Sequence, residues 1–245
     1  NKALEQDEFL LFVQEIRPTD PSLNYVNYEI LIRMKGEEEE VIAPGVFLPT
    51  AERFNLITKI DLWVIDHTFS WLKKHANKFH PDMHFSVNLS GQSMGDVYVL
   101  SHIIELLESG LIEAKKINFE VTETMAIANL KGANDFINAV KKYGCKFSLD
   151  DFGSGLSSFG YLKNLNVDVL KIDGMFVRDI MDDAIDEEMV SSINNIGHVM
   201  GMETIAEFVE NEQIAEKLID MGVNYLQGYG IGKPRPMDEI LKSDS

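Results

Sequence analysis

The sequence predicts an α/β protein, a single (β/α)8 barrel of the TIM type that is modified at its first strands. Two observations lead there. Eight short apolar runs alternate with amphipathic stretches along the chain, and no linker, low-complexity tract or internal repeat divides its 245 residues. With 45% of the residues apolar, the whole span 1–245 can share one core.

The candidate strands are FLLFVQ (9–14), VNYEILIRM (26–34), HFSVNLS (84–90), INFEVTE (117–123), KFSLDD (146–151), VDVLKID (167–173), ETIAEF (203–208) and YLQGYG (225–230). Between most of them lie helical segments such as 51–76, 99–110 and 212–222, and Gly110, Gly144, Gly201 and Gly222 stand where helices end. The first two strands are the exception. Only the turn-rich RPTDPSLNY joins them, so the barrel should begin irregularly.

Forty acidic residues against 22 basic ones give a formal net charge of −18. That argues against a groove for polymeric nucleic acid, which needs a basic footprint, and against contact with an anionic membrane surface. No signal peptide and no apolar run of about 18 residues is present. The single Cys145 excludes an internal disulfide, suits a reducing compartment and reads as a small buried residue near a strand start. A cytoplasmic domain is expected, with a membrane anchor elsewhere in the full-length protein left open. The chain starts at Asn1 without a methionine and reads as a segment of a longer protein.

The period-2 pattern inside the strands carries the chemistry. Ser86 and Asn88 alternate with Phe85, Val87 and Leu89; Asn118 and Glu120 alternate with Ile117, Phe119 and Val121; Ser148 and Asp150 alternate with Phe147 and Leu149. Successive strand side chains point to opposite faces. In a barrel wrapped by helices the apolar face meets the helices, so the polar face must line the interior. An ordinary interior is packed with branched aliphatics. Here the inward positions at the C-terminal ends read Glu29, Asn88, Glu120, Asp150, Lys171, Glu207 and Gln227. Four carboxylates face one lysine, with Arg33 the only other plausible cation, and each uncompensated buried charge costs several kcal/mol.

A missing positive charge points to metal. Carboxylates and an asparagine oxygen are hard donors suited to Mg²⁺, Mn²⁺ or Ca²⁺, while the histidines show no zinc-binding spacing. In FSLDDFGSGLSS (147–158) the strand is expected to end at Asp151, letting Asp150 and Asp151 diverge toward two ions. The glycines that follow let the backbone leave sharply into a mobile loop.

These residues resemble the EAL-domain cyclic-di-GMP phosphodiesterases. YEILIRM (28–34) is similar to the segment that names the family; PGVFLPTAE (44–52), SVNLS (86–90), FEVTET (119–124), DDFGSGLSSFGYLKNLNVDVLKID (150–173), AEFVEN (206–211) and LQGYGIGKP (226–234) follow in the family's order. The resemblance implies hydrolysis of cyclic di-GMP to linear pGpG. It implies metal ligation by Glu29, Asn88, Glu120 and Asp150, with Asp151 holding a second ion. Lys171 matches a lysine that contacts the attacking water, and Glu207 a general base or second-metal ligand. Gln14, Leu31, Arg33, Asp173, Gln227 and Gly228 match positions at the dinucleotide, and Glu123, Gly153 and Glu210 match loop anchors. Two Mg²⁺ or Mn²⁺ ions are implied, with Ca²⁺ inhibitory. A homodimer through residues 177–200 and flanking sensory or diguanylate-cyclase-like domains are implied as well.

Departures from the family pattern are few. Ile30 stands for Ala, Glu15 for Pro, Leu156 for Tyr, and Phe208 and Asn211 for Gly and Thr. None removes a ligand or the base. The same residues leave room for a receptor that binds cyclic di-GMP without efficient turnover. Fold alone would also allow Lys171 as a Schiff-base lysine, although that chemistry prefers an apolar pocket.

Overall fold

The computed structural model describes residues 2–23, 25–154 and 159–242. Its strands are β1 (Phe9–Pro18), β2 (Asn27–Lys35), β3 (Val41–Ile42), β4 (Phe85–Asn88), β5 (Ile117–Thr122), β6 (Lys146–Phe152), β7 (Val169–Ile172), β8 (Glu203–Ala206), β9 (Tyr225–Gln227) and β10 (Arg235–Pro236). Eight of them close a barrel in the order β1, β9, β8, β7, β6, β5, β4, β2, with β2 returning to pair with β1. The two-residue β3 and β10 extend its rim. The helices are α1 (Lys2–Glu5), α2 (Pro44–Arg53), α3 (Ile57–His75), α4 (Gly91–Met94), α5 (Val97–Glu108), α6 (Glu123–Ala128), α7 (Leu130–Lys141), α8 (Gly174–Arg178), α9 (Ala184–Val199) and α10 (Glu212–Asp220).

The irregular start expected from RPTDPSLNY has a definite form. β1 and β2 make an antiparallel hairpin from Phe9↔Met34 to Ile16↔Asn27, and β1 is antiparallel to β9 as well. A parallel neighbour needs a crossover of a dozen or more residues, which the connection 19–26 cannot supply. From β2 round to β9 the barrel neighbours are parallel.

Most of the expected strands are trimmed by one to three residues at their ends, β8 stopping at Ala206 and β9 at Gln227, and two other boundaries move further. β1 runs on to Pro18, past the expected 14, because Ile16, Arg17 and Pro18 pair with β9 and close the barrel. The expected helix 51–76 is two helices. Pro44 at the first turn starts α2 early, and Asn55, in the left-handed region at φ +54°, breaks the chain before α3. The expected helix stops hold, as at Gly144 (φ +101°) ahead of β6 and Gly222 (φ +79°) after α10.

The alternation sorts the core. Phe85, Val87, Ile117, Phe119, Phe147 and Leu149 are fully buried against the helices in one continuous apolar shell. Inside the barrel, Asn118 Nδ2 donates to Ser86 Oγ (2.8 Å) and to Ser148 Oγ (2.7 Å), linking β4, β5 and β6 below the site. Cys145 is buried, and that burial pushes its thiol pKa up to about 12, so it is inert packing rather than a nucleophile.

Candidate active and metal site

Lys171, on β7, is 1% exposed and stands at the centre of the C-terminal end of the barrel. Its Nζ lies 2.7 Å from Glu120 Oε2, 3.0 Å from Glu207 Oε1, 3.1 Å from Asp150 Oδ1 and 3.2 Å from Glu29 Oε2. These carboxylates come from β5, the turn after β8, β6 and β2. Glu29 also accepts from Asn88 Nδ2 (2.7 Å) and Gln227 Nε2 (2.6 Å). All seven residues expected at the inward C-terminal positions are thus brought into one connected group.

The charges do not balance. One ammonium serves four carboxylates, and each ionised oxygen raises the cost of the next. Burial by itself would depress the Lys171 ammonium, yet Asp150, Glu120, Glu207 and Glu29 carry its pKa well above the ordinary lysine value. A Schiff-base role, which needs a free amine, is disfavoured by the same geometry. Among the acids the load falls unevenly. Burial opposes the charge of Glu29, but Lys171 and the donors Gln227 and Asn88 hold its pKa below the usual range. Burial raises Glu120 to about 8, and burial with the neighbouring carboxylates lifts Asp150 and Glu207.

The paired aspartates are held differently from the sequence expectation. β6 does not end at Asp151 but continues to Phe152. Leu149 pairs with Leu170 and Phe152 with Ile172, so one extra residue is accommodated on β6 as a bulge. Asp151 occupies it at φ +53°. The bulge, not a strand end, lets both neighbours reach the same side: oxygens of Asp150, Asp151 and Glu207 all lie within 4.8 Å of one another. Burial, followed by Asp150 and Asp173, raises Asp151 to about 6. Asp150 Oδ1, although 3.1 Å from Lys171 Nζ, has no aligned hydrogen-bond donor.

These oxygens fit divalent cations. The donors are hard, the group carries more negative than positive charge, and a buried carboxylate oxygen faces it without a hydrogen bond.

Glu123 opens α6 and is 2% exposed. Its Oε2 accepts from the Gly153 backbone N–H (3.0 Å) and its Oε1 from the Tyr161 hydroxyl (2.6 Å). It therefore holds both sides of the loop after Asp151. The expected contacts to Gly155–Ser158, and the Leu156 departure, lie outside the described residues.

Above the acidic group opens a cleft of about 340 Å³ lined by Gln14, Leu31, Arg33, Glu207, Glu210, Gln227 and Gly228, together with Arg178, Phe208, Tyr229 and Pro234. Gln14 Nε2 donates to the Gly232 carbonyl (3.0 Å), and the Arg33 guanidinium stacks on Phe12, 5.5 Å from its ring centre. Asp173 stands at the edge of the acidic group: one carboxylate oxygen accepts from the Met175 N–H (2.8 Å) as the N-cap of α8, and its charge helps to raise Asp151. Glu210 lines the cleft, and its backbone packs against Gly230. Arg178, Tyr229 and Pro234 were missed by sequence reasoning, because they sit on a helix end and a connecting loop without strand periodicity.

Fold and site together define a closed α/β barrel with an acidic, cation-demanding centre at its C-terminal mouth, the end at which barrels of this kind carry their chemistry. A family model described as EAL domain matches residues 1–234, and the chain belongs to that family. It is 41% identical over 240 residues to the cyclic di-GMP phosphodiesterase PdeF of Escherichia coli (strain K12), covering 98% of this chain and 32% of PdeF. It is also 41% identical to the cyclic di-GMP phosphodiesterase PdeB of Shewanella oneidensis, covering 96% of this chain and 28% of PdeB. The chain thus spans about a third of the length of these relatives. Its fold matches the PaMucR phosphodiesterase in complex with c-di-GMP with a TM-score of 0.90 at 31% identity, over 98% of this chain and 96% of that one.

Proposed function

We propose that this domain hydrolyses cyclic di-GMP to linear pGpG in a metal-dependent reaction. The observation that carries the reading is the Lys171 ammonium within 3.2 Å of Glu29, Glu120, Asp150 and Glu207, with Glu207 also lining the cleft above them. Family membership and the names of the relatives support it.

Glu29, Asn88, Glu120, Asp150, Asp151 and Glu207 would hold Mg²⁺ or Mn²⁺ ions. Asn88 turns its Nδ2 to Glu29 and so leaves its carbonyl oxygen for a cation. When bound, the ions supply positive charge for the phosphodiester and a lowered pKa for water. The chain's own groups do the rest. Lys171 orients the attacking water and stabilises the charge that develops on it. Glu207 takes up the water's proton. A new P–O bond forms as one P–O3′ bond breaks, and the proton taken up by Glu207 passes to the departing O3′, directly or through solvent, leaving a free 3′-hydroxyl and a 5′-phosphate. Gln14, Leu31, Arg33, Gln227 and Gly228 seat the dinucleotide, while Glu123 and Gly153 keep Asp151 in place. Ca²⁺, with longer and looser coordination, inhibits.

The remaining setting is proposed on the same basis. The span 1–245 acts as one catalytic domain of a longer cytoplasmic signalling protein with sensory or diguanylate-cyclase-like neighbours. No described helix is long and apolar enough to cross a membrane. The domain works as a homodimer through residues 177–200: α9 buries Val190, Ile193 and Gly197 toward the barrel but leaves Met181, ahead of it, and its Ile185 and Val199 exposed.

Incubation with cyclic di-GMP and Mg²⁺ or Mn²⁺, with products resolved by chromatography, tests the reaction. Formation of pGpG supports it. Binding without cleavage under either metal would make the domain a receptor instead.

A further inference from the structure

One layer beneath the acidic group, a single side chain ties β4, β5 and β6 together. Asn118 on β5 is buried, and its Nδ2 donates to Ser86 Oγ on β4 (2.8 Å) and to Ser148 Oγ on β6 (2.7 Å). A longer contact of 3.4 Å runs from the same nitrogen to Glu120 Oε1. Both serines are buried as well.

Side chains two residues apart on a strand share a face, one beyond the other. Asn88 stands two residues beyond Ser86, Glu120 two beyond Asn118 and Asp150 two beyond Ser148. The trio therefore sits under the three oxygen donors that β4, β5 and β6 offer to a cation. The ladder keeps the levels in step, with Ser86 opposite Asn118 and Asn88 opposite Glu120.

Such a layer is ordinarily filled by branched aliphatics, which pack without hydrogen bonds. Packing needs no amide here. Asn118 Oδ1 is buried without a hydrogen-bond partner, a cost that valine would spare. What the amide adds lies on its nitrogen. Turned over, it would set its oxygen against Glu120 Oε1, so the neighbouring carboxylate fixes its orientation. Glu120 depends on it in turn: Lys171 Nζ takes its Oε2 (2.7 Å), and Asn118 supplies a donor facing its Oε1. Hydrogen bonds are directional where apolar packing is not, so the tie fixes both the spacing of the three strands and the aim of the residues above it.

We propose that Asn118 is a positioning residue for the cation site, setting Asn88, Glu120 and Asp150 in register through Ser86 and Ser148. The inference rests on the metal-dependent function proposed above and adds to it a residue one layer removed from the chemistry. Asn118 is not among the residues lining the cleft, so its loss acts on metal affinity and rate rather than on seating of the dinucleotide.

The test compares the parent with Asn118→Val, Asn118→Thr, Ser86→Ala and Ser148→Ala. Three readouts are needed: Mn²⁺ titration without substrate, followed by electron paramagnetic resonance of the free ion, thermal melts in chelator, and steady-state kinetics. Asn118→Val fills the layer as an ordinary barrel interior does and removes the orphaned oxygen, so it is expected to melt no lower than the parent in chelator. Its Mn²⁺ affinity should nevertheless fall roughly tenfold or more, as happens when a group that orients metal ligands is removed. At saturating Mn²⁺ its kcat should drop by a similar factor, while KM for cyclic di-GMP stays within about threefold of the parent. Asn118→Thr keeps the shape of valine, restores one donor and should recover part of the Mn²⁺ affinity. Ser86→Ala and Ser148→Ala each cut one arm and should weaken Mn²⁺ binding less. Added to Asn118→Val they should change almost nothing further, because the tie is already gone. Parent-like Mn²⁺ affinity and kcat in Asn118→Val would overturn the proposal. So would a lower melting temperature in chelator with unchanged Mn²⁺ affinity, which makes Asn118 a structural residue only. A parent that binds Mn²⁺ yet leaves cyclic di-GMP uncleaved would overturn the phosphodiesterase reading, and the tie would stand or fall on Mn²⁺ binding. A parent that binds no Mn²⁺ would overturn both.

Discussion

The two mouths of the barrel handle charge in opposite ways. At the N-terminal mouth it is matched: Lys146 Nζ lies 3.0 Å from Glu203 Oε2, and the other oxygen of Glu203 accepts from the Tyr225 hydroxyl at 3.1 Å. Lys141 pairs with Asp168 at 2.7 Å, and the second oxygen of Asp168 accepts from the Phe147 N–H. His84, beside this group, is kept neutral, its pKa pushed down to about 4 by burial and by Lys146. At the C-terminal mouth one ammonium faces four carboxylates, and Glu120 and Asp151 are displaced upward to about 8 and about 6. Both ends are polar, so polarity does not mark the site. What marks it is charge left unbalanced inside a buried frame, which a protein retains only where something else completes it.

If that contrast is correct, removing cations must silence one end and leave the other untouched. Stripping metal with excess chelator should abolish pGpG formation while the fold, followed by circular dichroism, persists. Full turnover in chelator would end the two-ion reading. Asn88→Ala and Glu120→Ala should likewise remove most turnover with the fold intact.

Glu207→Gln separates chemistry from binding. Glutamine keeps the size and one acceptor oxygen but takes up no proton at neutral pH. Turnover should fall at least about a hundredfold, with cyclic di-GMP affinity in Ca²⁺ close to the parent. A variant cleaving within about threefold of the parent removes Glu207 from the mechanism.

Glu123→Ala breaks the loop anchor at Gly153 and Tyr161 without touching the cleft. Asp151 then loses its support, so the Mg²⁺ concentration for half-maximal rate should rise and the rate should fall. Unchanged metal titration would reduce Glu123 to a structural charge.

The imbalance also has a pH signature. The folded Glu120 carboxyl stays protonated to about pH 8, whereas its unfolded counterpart ionises near 4.5. Folding of the metal-free protein therefore takes up a proton at Glu120 between those values, and the stability this group contributes is full below about pH 4.5 and is lost as the pH rises to about 8. Thermal melts in chelator should show that decline, and Glu120→Gln should make it shallower, the remainder belonging to Asp150, Asp151 and Glu207. A profile identical in parent and variant would place the titration elsewhere.

The smallest effect belongs to the matched end. Glu203→Gln removes one partner of a partly exposed pair and should cost about 1 kcal/mol or less in chemical unfolding, with turnover unchanged.

Strand alternation alone placed Glu29, Asn88, Glu120, Asp150 and Lys171 on the inner face, because side-chain direction in a strand is set by the local backbone and needs no partner. The same local logic located Cys145, the stops at Gly144 and Gly222, and the irregular start of the barrel, though not its form as a hairpin. The site's other half was not legible in this way. Whether Asp173 would face a ligand or cap α8, and whether Arg178, Tyr229 and Pro234 would reach the cleft, depends on the direction of loops and a short helix, and no periodicity encodes that.

What the amino-acid order determined by itself was the barrel, its polar inner face, the excess of carboxylates at one end and the family motifs, all consequences of residue type and local spacing. What only the tertiary structure decided was how those groups meet. The β6 bulge brings Asp150 and Asp151 to the same side, closure of β1 onto β9 sets Gln14 and Gln227 side by side, and the turn after β8 lays Phe208 under Arg178. Each depends on contacts between residues distant in the chain, and a pairing register or a forced backbone angle exists only once both partners are in place.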